Sequence, residues 1–160
     1  MRVGLLDVDA KSRGKVTFPN LALMKLSTYH KLHGDDVEMW RADGYYDLVY
    51  MSRVFGDEYT KDVPDPFNAK QVIRGGSGYA ISVGKDGREC YDKRNDMDLS
   101  LYIDHMMPDY SLYGIDDTAY GFLTKGCPAQ RVLEWAEEHK ASRPQPHSKQ
   151  GLGYSSSGSC

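Results

Sequence analysis

MRVGLLDVDAKSRGKVTFPNLALMKLSTYHKLHGDDVEMW, residues 1–40, carries three structural elements in succession. Its opening run, RVGLLDVD at 2–9, is apolar without clean alternation and ends in acids. That pattern belongs to a strand buried on both faces of a parallel sheet, not to one with a wet side. A basic loop, AKSRGK, follows. Pro19 and Asn20 then give helix start signals, Leu21, Met24, Leu26, Tyr29 and Leu32 recur at helical spacing, and Gly34 supplies the stop. DVEMW at 36–40 resumes strand character at once. Strand, helix and strand make a β-α-β unit, for which a right-handed crossover is expected.

The pattern continues downstream. YYDLVYMSRVF at 45–55, rich in aromatic and β-branched residues with Asp47 near its entry, predicts a third strand. After a loop with Pro64 and Pro66, NAKQVIRGGSGY at 68–79 predicts a short helical turn feeding a fourth strand, Gln71 to Arg74, which ends at a glycine cluster. AISVGKDGRECYDKRN at 80–95 predicts a hairpin about KDG, outside the main sheet. Residues 98–114 predict a short helix before Pro108 and an extended linker after it, and TAYGFLTKG at 118–126 one more strand. Pro128, Val132, Leu133 and Ala136 place a brief helix over 129–141, while the Ser-, Gly-, Pro- and Gln-rich stretch 142–160 predicts a disordered tail with little to bury. The expected fold is α/β, a doubly wound, mainly parallel, Rossmann-like sheet with a small hairpin insertion. Residues 1–107 form that domain, and 108–128 a linker and strand.

Composition narrows the function. The 160 residues carry 20 basic and 23 acidic side chains, a net charge of −3, with no long basic block, so neither nucleic acid nor an anionic membrane is an expected partner. No apolar run approaches the roughly 20 residues that span a bilayer, and a cytoplasmic protein is expected. Cys90, Cys127 and Cys160 are odd in number and widely spaced, unlike a disulfide framework.

Several groups invite chemistry. Asp7 and Asp9 follow the first strand, where open α/β sheets place ligand groups; they suit a magnesium-dependent phosphotransferase, with Asp116 and Asp117 as a second acidic pair, or simple capping of the next turn. Gly75, Gly76 and Gly78 offer backbone amides to a phosphate, or serve a turn needing positive φ; no P-loop or dinucleotide fingerprint accompanies them. His30 and His33 read as surface imidazoles at a helix end, and His105 as a packing residue beside Met106 and Met107. Cys127, in GFLTKGCP, reads alone as a small apolar residue near a helix start, because one thiolate cannot hold an iron–sulfur cluster.

Taken together, MRVGLLDVD, FPNLALMKLSTYHKLHGDDVEMW, YDLVYMSRVF, VIRGGSGY and PDYSLYGIDDTAYGFLTKGCP resemble the N-terminal part of radical S-adenosylmethionine proteins whose barrel follows a cobalamin-binding-like Rossmann domain. The resemblance covers about residues 1–128. It implies that GFLTKGCP opens a barrel and that Cys127 begins a CxxxCxxC triad binding a 4Fe–4S cluster, which in the family cleaves S-adenosylmethionine to a radical. The chain departs from the triad at Arg131 and Glu134, so the cluster motif is incomplete. It also lacks the DxHxxG motif, so cobalamin is not expected. The implied pocket lies near Asp7, Asp9, Ser52 and Gly75 to Gly78. The abrupt change in composition after residue 128 leads to the expectation of a truncated or frame-shifted product, unable to perform the radical chemistry alone. A small molecule or a separate barrel chain is the partner in view. The alternatives are a stand-alone, non-catalytic binding or docking module, and the phosphotransferase.

Overall fold

A computed structural model describes residues 1–14 and 18–121 of the chain. The elements are β1 (Arg2–Asp7), α1 (Val8–Arg13), α2 (Leu21–Leu32), β2 (Asp36–Met39), β3 (Tyr46–Ser52), β4 (Ala69–Gly75), β5 (Ile81–Val83), β6 (Glu89–Tyr91) and α3 (Leu101–Asp104). Single turns of 3₁₀ helix occur at Ser77–Tyr79, Lys93–Asn95 and Tyr110–Tyr113. β1 to β4 form one sheet in the order β2-β1-β3-β4, with every pairing parallel. The fold is therefore α/β, and residues Met1–Gly121 form one compact unit.

β1 sits inside the sheet and is buried on both faces, which explains its unbroken apolar run. Val3 and Leu5 meet Leu23 and Leu26 of α2, with half-buried Val37, Met39, Tyr50, Ile103 and Leu112 around them. Leu6 and Val8 join Tyr46, Val49 and Met51, packed against Trp40, Val63, Ala69 and Val72. Gly4 lets the Tyr46 ring lie against β1, since a Cβ there would stand 3.0 Å from that ring and 3.1 Å from Val49 Cγ2. Each large side chain buried here is worth roughly 1.5–3 kcal/mol against leaving it in water.

Residues 40–45 join β2 to β3, which flank β1, without a helix. Side-chain hydrogen bonds fix this short crossover. The Trp40 indole donates to Asn68 Oδ1 at 2.8 Å, the Arg41 amide donates to the Tyr46 hydroxyl at 3.0 Å, and that hydroxyl donates to Glu38 at 3.0 Å. Asn68 also donates to the Arg41 and Gly44 carbonyls at 2.9 and 2.6 Å. This anchoring corrects the expected helical turn before β4: Asn68 holds the chain at the strand entry, its carbonyl accepts from the Tyr46 amide, and β4 begins at Ala69.

The hairpin forms as expected, β5 and β6 pairing antiparallel in a sheet of their own about a turn with Gly87 at φ 78°. α3 precedes Pro108. The stretch after it is not extended. Asp109 caps a 3₁₀ turn, accepting from the Ser111 amide, and Gly114 ends it at φ 65°. His30 corrects the reading of a surface imidazole: it is 4% exposed, pairing Nδ1 with Asp35 at 2.7 Å and Nε2 with the Tyr50 hydroxyl at 3.1 Å. His33 is exposed as expected, whereas His105 is exposed at the end of α3 and not packed. No helix among the described residues is long and apolar enough to cross a membrane. Residues 122–126 of the last predicted strand, Cys127, the 129–141 helix and the 142–160 tail lie outside the described residues.

Candidate functional site

From β1 the chain passes through α2 to β2 on one side, while β3 and β4 lie on the other. The direction of build-up reverses between β1 and β3. A parallel sheet opens a crevice at such a point, outside the carboxyl ends of the strands. Here those ends are Asp7 and Ser52, which are register partners, and Ser52 is in turn paired with Gly75 of β4.

Asn20 stands buried at the start of α2, beside these strand ends. Its Oδ1 accepts from the Leu23 amide at 3.2 Å, capping the helix, and its Nδ2 donates to Ser52 Oγ at 2.8 Å. One buried side chain thus satisfies a helix end and ties it to β3. Asp7 is 4% exposed and caps α1: Oδ1 accepts from the Ala10 amide at 2.9 Å and Oδ2 from the Tyr113 hydroxyl at 2.7 Å. Burial raises the Asp7 pKa, because a charge in a poorly solvated site is costly, and the Ala10 and Tyr113 hydrogen bonds only partly oppose this. Burial and the neighbouring Asp7 carboxylate likewise raise the Tyr113 pKa, which keeps the phenol a neutral donor.

Asp9 serves a neighbouring loop. Its Oδ2 accepts from the Val54 amide at 2.7 Å, and its Oδ1 from Thr60 Oγ1 at 2.7 Å and the Phe55 amide at 3.4 Å. It ties the start of α1 to the segment after β3. Arg53, 4% exposed, braces the same segment by donating to the Thr60 carbonyl at 2.6 Å and to Asp57; its buried Nε has no partner among the described residues. The guanidinium lies 5.6 Å from the Tyr79 ring centre.

The glycine loop packs against that backbone. Gly76 has φ 99°, and a Cβ there would stand 2.3 Å from the Arg53 carbonyl oxygen; a Cβ on Gly78 would stand 2.5 Å from that of Phe55. The Gly78 amide donates to Arg53 O at 2.9 Å. Gly75 meets Met97 only at ordinary contact distance, 3.5 Å. Gly76 and Gly78 are thus required by close approach of chain to chain.

The predicted residues Asp7, Asp9, Ser52 and Gly75 to Gly78 all fall at the carboxyl end of the sheet, but with separate tasks. Asp7 and Ser52 stand side by side at the ends of β1 and β3, while Asp9, Gly76 and Gly78 secure the segment beyond β3. Both oxygens of each aspartate already accept hydrogen bonds. Among the described residues, no three His, Cys, Asp or Glu side chains converge as a metal site, Asp116 and Asp117 are exposed, and Cys90 is a free, exposed thiol on β6. Asn20 was legible as a helix start but not as a crevice residue. Arg53 and Thr60 gave no signal, and Tyr113 none that sequence could offer, since it meets Asp7 across 106 positions.

Comparison of the chain with protein-family models, with curated proteins and with solved structures finds no match.

Proposed function

We propose that this chain is the N-terminal, cobalamin-binding-like domain of a radical S-adenosylmethionine protein, with a Rossmann-like sheet, and that it does not perform the radical chemistry by itself. The observation that carries the reading is the strand order. Four of the five segments quoted for the resemblance each contribute one of the four parallel strands, and their order β2-β1-β3-β4 supports a ligand face near Asp7 and Ser52.

The residues do not fit the family's cofactors. A CxxxCxxC triad counted from Cys127 needs thiolates where Arg131 and Glu134 stand, and neither side chain can bind iron as a thiolate does. Cobalamin lacks its DxHxxG histidine, and the phenol of Tyr113 already lies on Asp7 in the crevice. No chemical step is therefore assigned to either group, and the role left to the domain is binding or docking, with a small molecule or a separate barrel chain as partner.

Reading the gene in its other two frames past codon 128 tests the kinship. The proposal expects one frame to restore cysteines at the second and third triad positions, followed by barrel sequence; if neither does, it fails. A stand-alone, non-catalytic module is the second reading, favoured by the internal use of Asp7, Asp9 and the glycine loop. The phosphotransferase reading requires hydrolysis of an aryl phosphate that Asp7→Asn abolishes. It draws no support from aspartates whose oxygens are already taken.

A further inference from the structure

Beyond α3 the chain returns to the sheet through Asp109–Tyr113, and its two ends are held unequally. The Asp109 end has three bonds to α2: its carboxylate accepts from Ser27 Oγ at 2.6 Å and Lys31 Nζ at 2.7 Å, and its amide donates to the Met24 carbonyl at 3.1 Å. The far end is held by the phenol of Tyr113, which reaches Asp7 Oδ2 at 2.7 Å and also meets the Asn20 backbone.

The residues beyond Tyr113 close on themselves. The Tyr110 hydroxyl donates to the Tyr120 carbonyl and accepts from the Tyr120 amide, both at 3.0 Å, and the Ile115 amide donates to the Tyr110 carbonyl at 3.1 Å. Gly114 stands in the left-handed conformation just after the phenol, and Asp116 to Ala119 are exposed. The loop 110–120 thus keeps its own hydrogen bonds whether or not Tyr113 is seated. Releasing it gives up the Tyr113 hydrogen bond to Asp7, the 3.4 Å contact of Lys31 Nζ with Ser111 Oγ, and the packing of half-buried Leu112, Tyr113 and Ile115.

We propose that this loop is a gate: pivoting at Asp109, it lifts Tyr113 from Asp7 and opens the crevice lined by Asp7, Asn20 and Ser52, while the sheet and α2 stay folded. Opening of this kind is a local event, cheaper than global unfolding and distinguishable from it, because it exposes less surface than unfolding of the sheet and α2. The gate rests on the crevice being the ligand face proposed above, but not on the cluster or on radical chemistry.

Native-state labelling tests it. Ser52→Cys is introduced with Cys90, Cys127 and Cys160 changed to Ser, and alkylation by iodoacetamide is followed by mass spectrometry at increasing urea below the unfolding transition. The gate predicts a labelling rate nearly independent of urea in that range and about tenfold faster when Tyr113→Phe is added. A rate that climbs steeply with urea from the start, or that ignores Tyr113→Phe, overturns it. The unaltered protein supplies a second reading by hydrogen exchange. The amides of Leu112, Tyr113, Gly114 and Ile115 are expected to exchange at least 100-fold faster than those of β1 and β3. Equal rates would mean that loop and sheet open only together, and the gate would fall. Neither result depends on any iron–sulfur or cobalamin chemistry, so the family reading fails or survives separately.

Discussion

Two carboxylates that burial pushes the same way end with opposite net shifts, and the difference has a sign that can be measured. Asp7 has its pKa raised by burial, so the folded state holds a proton that the unfolded chain has released, and stability falls as pH rises through the folded value. Asp109 is also pushed up by burial, but hydrogen bonds from Lys31, Ser111 and Ser27 outweigh that and hold it down to about 2. Its contribution is complete above the ordinary carboxylate value of about 4 and is lost as pH falls toward about 2. Urea midpoints measured from pH 2 to 8 should show the stability of Asp7→Asn, relative to the unaltered chain, increasing with pH. Asp109→Asn should show the reverse, losing relative stability as pH rises from about 2 to about 5. Equal pH profiles for the three proteins would contradict both assignments. Gly76 is a sharper case. With φ 99° and the Arg53 carbonyl 2.3 Å from an added Cβ, Gly76→Ala must strain or displace the backbone. A loss of about 2 kcal/mol or more is expected in urea unfolding, against little effect for Gly75→Ala, which meets only ordinary contacts. At this scale the sequence offered capping for Asp7 and a positive-φ turn for the glycines, as Asp7 on α1 and Gly76 at φ 99° show, but not the contacts with Tyr113 and the Arg53 carbonyl, which come from distant parts of the chain.

α2 was the most legible element, since Asn20, the apolar spacing and Gly34 all act locally. Its observed bounds, Leu21–Leu32 with Asn20 as cap, follow that reading. Position 20 carries more than a cap, however, because the same amide donates to buried Ser52. Asn20→Ala should cost about 2–3 kcal/mol by chemical denaturation, the loss of a cap plus an unsatisfied buried hydroxyl. Asn20→Ser, which can still cap but is too short to reach Ser52, should recover about half of that. Equal stability of the two variants would show that the cap contributes nothing, and an Asn20→Ser chain as stable as the unaltered one would show that the link to Ser52 contributes nothing. β4 was less legible. The expected helical turn at its entry gives way to the hydrogen bonds of Asn68 with Trp40, Arg41 and Gly44, which sequence periodicity cannot register. His30 was misplaced for a similar reason. Its burial comes from Asp35 and Tyr50, one beyond the helix and one on β3.

The parallel α/β class could be read from the first forty residues, because burial of β1 on both faces leaves an unbroken apolar run. The crossover at 40–45 could not be read, since Trp40 and Tyr46 there replace the helix that usually covers such a connection. Neither could the extent of the folded unit. Residues Met1–Gly121 cohere because Asp109, Leu112 and Tyr113 fasten the last described turn to α2 and β1. A chain ending at Gly121 should unfold cooperatively, whereas one ending at Met107 should have a clearly lower urea midpoint; equal midpoints would show that residues 108–121 add no stability. Function at this scale turns on whether Cys127 can recruit the ligands that Arg131 and Glu134 do not supply. The most direct measurement is the visible absorption and iron content of the whole chain after anaerobic reconstitution with iron and sulfide, beside Cys127→Ala. The proposed role predicts iron well below four per chain and the same spectrum for both proteins. A stoichiometric cluster that disappears with Cys127→Ala would contradict it, and would mean that other ligands complete the site and that the radical chemistry is within this chain's reach.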